Sequence, residues 1–174
     1  MKREINVWEY AGQMMSRIND GVLLTTKSGD EVDTMTIGWG TIGVEWKKPI
    51  FTVFVRESRH TKKLLDENGE FTVNFPYGAF DRSILGICGT RSGRDMDKIK
   101  ELGLTLEPGE TVSVPGIKEF PLTLECKVIY RQDQDPAAIN EENTARFYPK
   151  NEQFPAGDYH TAYYGQITAA YIIE

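Results

Sequence analysis

DTMTIGWGTIGVEWKKPIFTVFVRESRHTKKLL, running from Asp33 to Leu65, decides between two folds. Within it, Gly38-Trp39-Gly40-Thr41-Ile42-Gly43 matches the G-x-G-x-x-G spacing of a dinucleotide-binding turn. That motif works only where its glycines open a helix whose N-terminus faces a pyrophosphate. Here they lead into VEWKKPIFTVFV, with β-branched and aromatic residues, a proline and no helical period. The segment reads as strand, and a doubly wound nucleotide fold is set aside. Glycines in a strand let a flat ligand or a neighbouring backbone approach closely. Trp39 and Thr41 would then offer an aromatic wall and a hydroxyl.

The far end of the same stretch carries an unusual charge pattern. The apolar strand Ile50 to Val55 runs into Arg56, Ser58, Arg59, His60, Thr61, Lys62 and Lys63, at the start of a short helix. First helical turns favour Asp and Glu, because the helix dipole places partial positive charge there. Basic and hydroxyl groups at this corner suit an anion, which free backbone N–H groups, hydroxyls and fixed cations would hold together. A solvated basic patch, with Ser58 as an ordinary N-cap, accounts for the same residues.

Working outward, Trp8 to Ile18 reads as a helix ended by Asn19-Asp20-Gly21. VLLTTK and VDTMTIGW flank a Ser-Gly-Asp turn and predict a hairpin. The basic corner opens a helix through about Glu67, closed by Asn68-Gly69, and EFTVNF follows as a strand ended by Pro76. Tyr77 to Gly103 holds two short helices around the loop GTRSGRD, and LTLEPG and TVSVPGI read as short strands. LTLECKVIYRQ reads as the longest strand, with Leu122, Leu124, Cys126, Val128 and Tyr130 on one face. Asp135 to Pro149 is a polar excursion with one helical turn, and HTAYYGQITAAYIIE closes the chain as a strand. Short strands with turn signals, and no sustained strand–helix alternation, predict a mainly β protein: a β-barrel with peripheral helices.

Composition narrows the function classes. The 174 residues, read as one domain over 1–174, are enough to bury about 70% of the unfolded-chain surface. A net charge of −6 argues against nucleic acid as the general partner and makes the basic corner a local feature. The start, MKREINVWEY, has no apolar run, and no stretch is long enough to span a bilayer, so a cytoplasmic setting without a membrane partner is expected. Cys88 and Cys126 lie apart, with no metal-ligand spacing and no expected disulfide. Cys126 reads as a buried small hydrophobe. Cys88, flanked by glycines, stays open.

Taken together and in order, V-D-T-M-T-I-G-W-G, P-I-F-T-V-F-V-R-x-S-R-x-T, F-T-V-N, C-G-T-x-S-G-R-D-x-D-K and H-T-A-Y-Y-G-Q-I resemble the flavin reductase-like family, nearest its flavoredoxin-type branch. The resemblance covers essentially the whole chain. It implies an FMN-binding split β-barrel with FMN held noncovalently near a homodimer interface. It also implies that Asp33, Met35, Thr36, Trp39, Gly40 and Thr41 line the ring and ribityl chain. Arg56, Ser58, Arg59, Thr61 and Lys62 would hold the phosphate. Cys88, Gly89, Ser92, Gly93 and Lys98 would form a loop beside the ring, and His160 would stand near the nicotinamide or the flavin edge.

Two departures stand out. Many relatives carry Asn where Asp33 stands, and the family's Gly-Asp-His is here Gly157-Asp158-Tyr159-His160. A strand-end packing role for His160, and an i,i+3 pairing of Lys98 with Glu101, remain open beside the cofactor roles. The implied activity is NAD(P)H-dependent transfer of hydride or electrons through FMN to a flavin, a ferric species or a redox partner. The alternative is a flavoredoxin-like electron carrier with little nicotinamide activity. Local support for the homodimer is limited to Tyr163, Tyr164 and Tyr171, expected to be exposed.

Overall fold

The computed structural model describes residues 1–174. After a short strand β1 (Lys2–Glu4), helix α1 (Val7–Ile18) is capped by the Asn6 side chain, which accepts from the Trp8 N–H. Its Val7, Met14 and Ile18 face inward at helical spacing. Strands β2 (Val22–Ser28) and β3 (Glu31–Ile37) form the expected hairpin. Strands β4 (Gly40–Glu45) and β5 (Lys48–Arg56) form a second. Its two-residue turn puts Trp46 and Lys47 at φ of 49° and 59°, the geometry that matches strand twist but normally selects Asn or Gly.

Helix α2 (His60–Asn68) ends at Gly69, whose φ of 71° is the left-handed cap that glycine adopts without strain. Strand β6 (Glu70–Phe75), helices α3 (Arg82–Thr90) and α4 (Lys98–Glu101), and the two-residue strands β7 (Leu106–Glu107) and β8 (Gly116–Ile117) follow. Strand β9 (Leu122–Asp133) leads into a 3₁₀ turn (Pro136–Ala138), helix α5 (Glu141–Phe147) and strand β10 (His160–Ile173). No helix is long and apolar enough to cross a membrane.

The main sheet is antiparallel throughout, in the order β3-β2-β6-β9-β10-β5-β4, with β1 added to β10. Its two ends, β3 and β4, are consecutive in the chain and joined only by Gly38 and Trp39. The sheet therefore curls until its ends approach one another, yet no ladder joins them. That is a barrel with a split, and the split lies beside Trp39. Inside it, Phe51, Phe71, Phe75, Val53 and Tyr163 belong to one buried cluster. Each such side chain contributes roughly 1.5–3 kcal/mol through burial. Gly165 of β10 sits beside a bulge of β9 at Ile129, and only glycine fits there, because a Cβ would lie 2.3 Å from the Phe71 ring.

Several expectations are corrected. The longest strand is β10, with 14 residues against 12 in β9. Leu122, Leu124 and Cys126 of β9 share the core face as expected, with Val128 packed against it, but Tyr130 is exposed and the intervening Thr123 and Glu125 are buried too. The outer face is covered by the segment before β8, anchored on buried Glu125. That carboxylate accepts from the N–H groups of Glu110, Thr111 and Val112 and from the Tyr171 hydroxyl. The Asp135–Pro149 excursion holds a 3₁₀ turn and a seven-residue helix, more than one turn. Tyr163 and Tyr171 are core residues, each 1% exposed, and only Tyr164 of the three reaches the surface.

Candidate functional site

Strand β5 delivers Arg56 to the barrel rim, and α2 begins four residues later. The N-cap is Arg59, not Ser58, and no side chain caps this helix. Its first turn holds no acidic residue of its own; the carboxylates at this end come from other elements, Glu31 on His60, Asp33 on Thr61 and Asp158 on Ser58. Ser58 instead serves Asp158, donating its N–H at 3.1 Å and its hydroxyl at 2.6 Å to the carboxylate. Arg56 donates to two carbonyls, Asp158 at 2.6 Å and Phe147 at 3.0 Å. The corner thus clamps both ends of the segment from Phe147 to Asp158 across the rim. Arg59 makes one long bond, 3.4 Å to the Gly89 carbonyl, which leaves most of its guanidinium donors free.

Beside the corner lies a cavity of about 570 Å³. Asp33, Met35, Arg56, Ser58, Arg59, Thr61, Cys88, Ser92, Gly93 and Lys98 all line it. A smaller cavity of about 200 Å³ adjoins it and shares Met35, Arg56 and Arg59. Thr36, Trp39 and His160 line this second space. The two make one groove, basic at the α2 end and aromatic at the split of the barrel.

Four of the expected residues sit elsewhere. Gly89 packs behind the wall, where a Cβ would lie 3.4 Å from Thr36. Gly40 opens on a neighbouring hollow beside Ile18 and Asn19, which meets the smaller cavity at Gly38, Trp39 and Phe54, and Thr41 lines a further hollow with Ile42 to Glu45. Lys62 turns away to Asp66 at 2.8 Å and Glu57 at 3.5 Å. The groove also contains residues not singled out from sequence: Phe54, Arg91, Arg94, Phe154 and Asp158. Arg91, Arg94 and Asp158 were visible as charges in the quoted GTRSGRD and GDYH segments. What brings them to the rim is the tertiary path of two loops.

The floor of the larger cavity is an ion pair. Lys98 Nζ lies 3.0 Å from Asp33 Oδ1, with side chains 2% and 5% exposed. Thr61 donates its hydroxyl to the other Asp33 oxygen at 2.8 Å. Lys98 therefore faces inward and does not pair with Glu101. Gly93 passes so close that a Cβ would lie 2.6 Å from the Asp33 carboxyl carbon. Cys88 lies under this floor, and burial pushes its thiol up to about 11 while nearby Lys98 partly offsets the effect. It is a protonated packing residue at neutral pH, without thiolate reactivity.

At the aromatic end, His160 opens β10 directly opposite Arg56. Its ring stands 4.9 Å from that of Trp39, and its Nδ1 is 2.9 Å from the Tyr148 hydroxyl. Burial, then the positive charge of Arg56, hold its pKa down at about 4. His160 is a neutral imidazole across the physiological range.

An uncharacterised protein of Pyrococcus abyssi is 30% identical over 135 residues, spanning 78% of this chain and 76% of that one. Among solved structures, flavoredoxin of Desulfovibrio vulgaris (Miyazaki F) superposes with a TM-score of 0.66 at 26% identity, covering 88% of this chain and 69% of that one. Flavoredoxin from Methanosarcina acetivorans gives 0.66 at 28%, covering 88% and 68%. The sequence model of the flavin reductase like domain matches residues 15–174, and the chain belongs to that family.

Proposed function

We propose that the groove binds FMN noncovalently and that the protein passes hydride or electrons from NAD(P)H through it to a flavin, a ferric species or a redox partner protein. One observation carries this reading. A single groove joins an uncapped helix start bearing Arg59 to an aromatic recess bearing Trp39 and His160. Its chemistry fits the cofactor at both ends: cations and backbone N–H groups for a phosphate, and a flat apolar wall for a ring system. His60 adds to the fit, since its Nδ1 is buried at this corner without a partner.

When bound, FMN supplies the redox chemistry that side chains lack. The protein's own residues then position and tune. Arg59 and the first N–H groups of α2 hold the phosphate. Met35, Thr36 and Trp39 form the wall, and Lys98 brings a fixed ammonium to the floor, balanced by Asp33. Neither buried cysteine is asked to act as a nucleophile. The reading extends to a homodimer, for which the exposed Val44 and Trp46 and the edge-on and tilted contacts of the Trp46–Tyr130–Tyr164 series offer a surface.

The test is an absorbance spectrum of the purified protein, followed by anaerobic NADH and then NADPH. A flavin spectrum that bleaches with either nucleotide is expected. The similarity to two flavoredoxins supports a second reading, an electron carrier reduced by another protein. A bound flavin that neither nucleotide bleaches would select it. Failure to bind FMN at all would remove both.

A further inference from the structure

Tyr148 is 4% exposed, and its hydroxyl has one hydrogen-bond partner, Nδ1 of His160 at 2.9 Å. A neutral imidazole has one N–H and one lone pair, so the pair admits two arrangements. In the first, the phenol donates to Nδ1 and the imidazole proton sits on Nε2. In the second, Nδ1–H donates to the phenol oxygen, and the buried O–H is left with no acceptor. Leaving such a group unsatisfied forfeits a hydrogen bond without hydration in return, which disfavours this arrangement. The surroundings favour the first arrangement as well. The Arg56 guanidinium lies over the Tyr148 ring, 5.2 Å from its centroid, which strengthens the phenol as a donor and weakens its oxygen as an acceptor.

Tyr148 is itself held firmly. Its ring stacks on Tyr159 at 4.8 Å and 21°. Gly157, at φ of 95°, makes room, because a Cβ there would meet the Tyr159 ring at 2.7 Å and the Tyr148 carbonyl at 3.3 Å. The extra tyrosine in Gly157-Asp158-Tyr159-His160 therefore has a job: it backs the residue that addresses His160.

The other ring nitrogen faces the groove. Nε2 of His160 has no protein partner, and the only buried side-chain nitrogen or oxygen without one is Nδ1 of His60. Nε2 therefore reaches open space, and the space His160 lines is the aromatic recess.

We propose that Tyr148 is a positioning residue that fixes His160 as its Nε2–H tautomer, so that the recess presents a neutral hydrogen-bond donor to a carbonyl-type oxygen of its occupant. The tautomer follows from the free protein; only the occupant's identity rests on the flavin reading. A neutral donor orients an acceptor without supplying a proton, so His160 sets the pose of what binds and is not an acid catalyst.

The chain has two histidines, which makes the proposal directly measurable. Long-range ¹H–¹⁵N spectra of ¹⁵N-labelled protein at pH 7.5, assigned with His60→Asn, should show His160 protonated at Nε2 and bare at Nδ1. In Tyr148→Phe, the Nδ1 resonance should move to that of a nitrogen without a donor, and the second tautomer should appear. FMN should shift the Nε2–H signal of the parent protein, and its affinity for Tyr148→Phe should fall about three- to tenfold. A parent protein protonated at Nδ1 would overturn the proposal whatever the variant does. So would a Tyr148→Phe spectrum identical to the parent's, or FMN that binds without moving Nε2. Absence of FMN binding would overturn the cofactor reading instead, while the free-protein spectrum still decides the role of Tyr148.

Discussion

The Asp158 carboxylate occupies the hydrogen-bond donors of Ser58, accepting from its backbone N–H at 3.1 Å and its hydroxyl at 2.6 Å. Those donors stand at the corner proposed for the cofactor phosphate, so an internal anion already sits beside the site for an external one. Asp158→Asn keeps an oxygen for Ser58 and removes the charge. The ratio of FMN to riboflavin affinity should then rise about fivefold, the size of a ~1 kcal/mol repulsion between unit charges in a well-solvated setting. Riboflavin lacks the phosphate, so the ratio cancels any loosening of the Phe147–Asp158 segment. An unchanged ratio in paired fluorescence titrations would place the phosphate away from this corner.

Arg56 and Arg59 stand three residues apart and should behave differently. Arg59→Ala removes one 3.4 Å bond and a free guanidinium, so stability should hold while FMN affinity drops by about 1–3 kcal/mol. Arg56→Ala frees two carbonyls at the ends of the rim segment and should lower Tm even without ligand. Thermal melts with and without FMN separate the two. Equal losses of melting temperature in the two apo variants would contradict the division of labour.

The Asp33–Lys98 pair is almost wholly buried, and removing one partner strands the other charge. Lys98→Met alone should cost about 3–5 kcal/mol, whereas Asp33→Asn with Lys98→Met should recover much of that loss. A double-mutant cycle in urea measures the coupling. Additive costs would mean that the two charges are solvated independently.

This pair also marks the limit of what the sequence reveals. The β5 strand, the basic corner and α2 are legible because their signals are local: an apolar run, a change of period and a glycine cap. The candidate groove is legible in most of its residues for the same reason. The partners of those residues are not. Nothing near Lys98 in sequence says that α4 docks against β3 and meets Asp33, or that Thr61 bonds the same carboxylate. Glu125 reads as a polar residue of an alternating strand, yet it is fully buried because a distant loop turns its N–H groups onto it. Tyr148 lies in a charged, proline-bearing excursion that reads as periphery, and the Arg56 clamp and the Tyr159 stack bring it to His160.

Gly40 shows the same limit in a testable form. As a strand glycine beside Trp39, it invites a ligand-facing role, but the nearest atoms to an added Cβ belong to Phe51 at 3.0 Å and Ile18 at 3.3 Å. The flat neighbour that needs this glycine is a core ring. Gly40→Val should therefore destabilise the fold by about 1–3 kcal/mol through overpacking. Folded protein that remains should bind FMN nearly as before. Normal stability with abolished FMN binding would return Gly40 to the cofactor wall.

His160 should leave a signature in the pH dependence of stability. Its pKa falls from 6.5 to about 4 on folding, through burial and then the charge of Arg56. Between those values the unfolded chain binds the proton and the folded chain does not, so stability falls as pH drops from about 6.5 to 4. Above 6.5 both states are neutral and the full contribution is present; below about 4 both are protonated and the slope from this residue vanishes. The displacement corresponds to at most about 3 kcal/mol, less where water reaches Nε2. Acidic groups held low by hydrogen bonds, such as Asp66 and Glu125, act at lower pH, since their ordinary values are 3.8 and 4.5. Urea unfolding of the parent and His160→Gln at pH 7 and 4.5 should therefore show a steeper loss in the parent. Parallel losses would mean that His160 takes up its proton in the folded state, and that the recess offers a cation in place of a neutral donor.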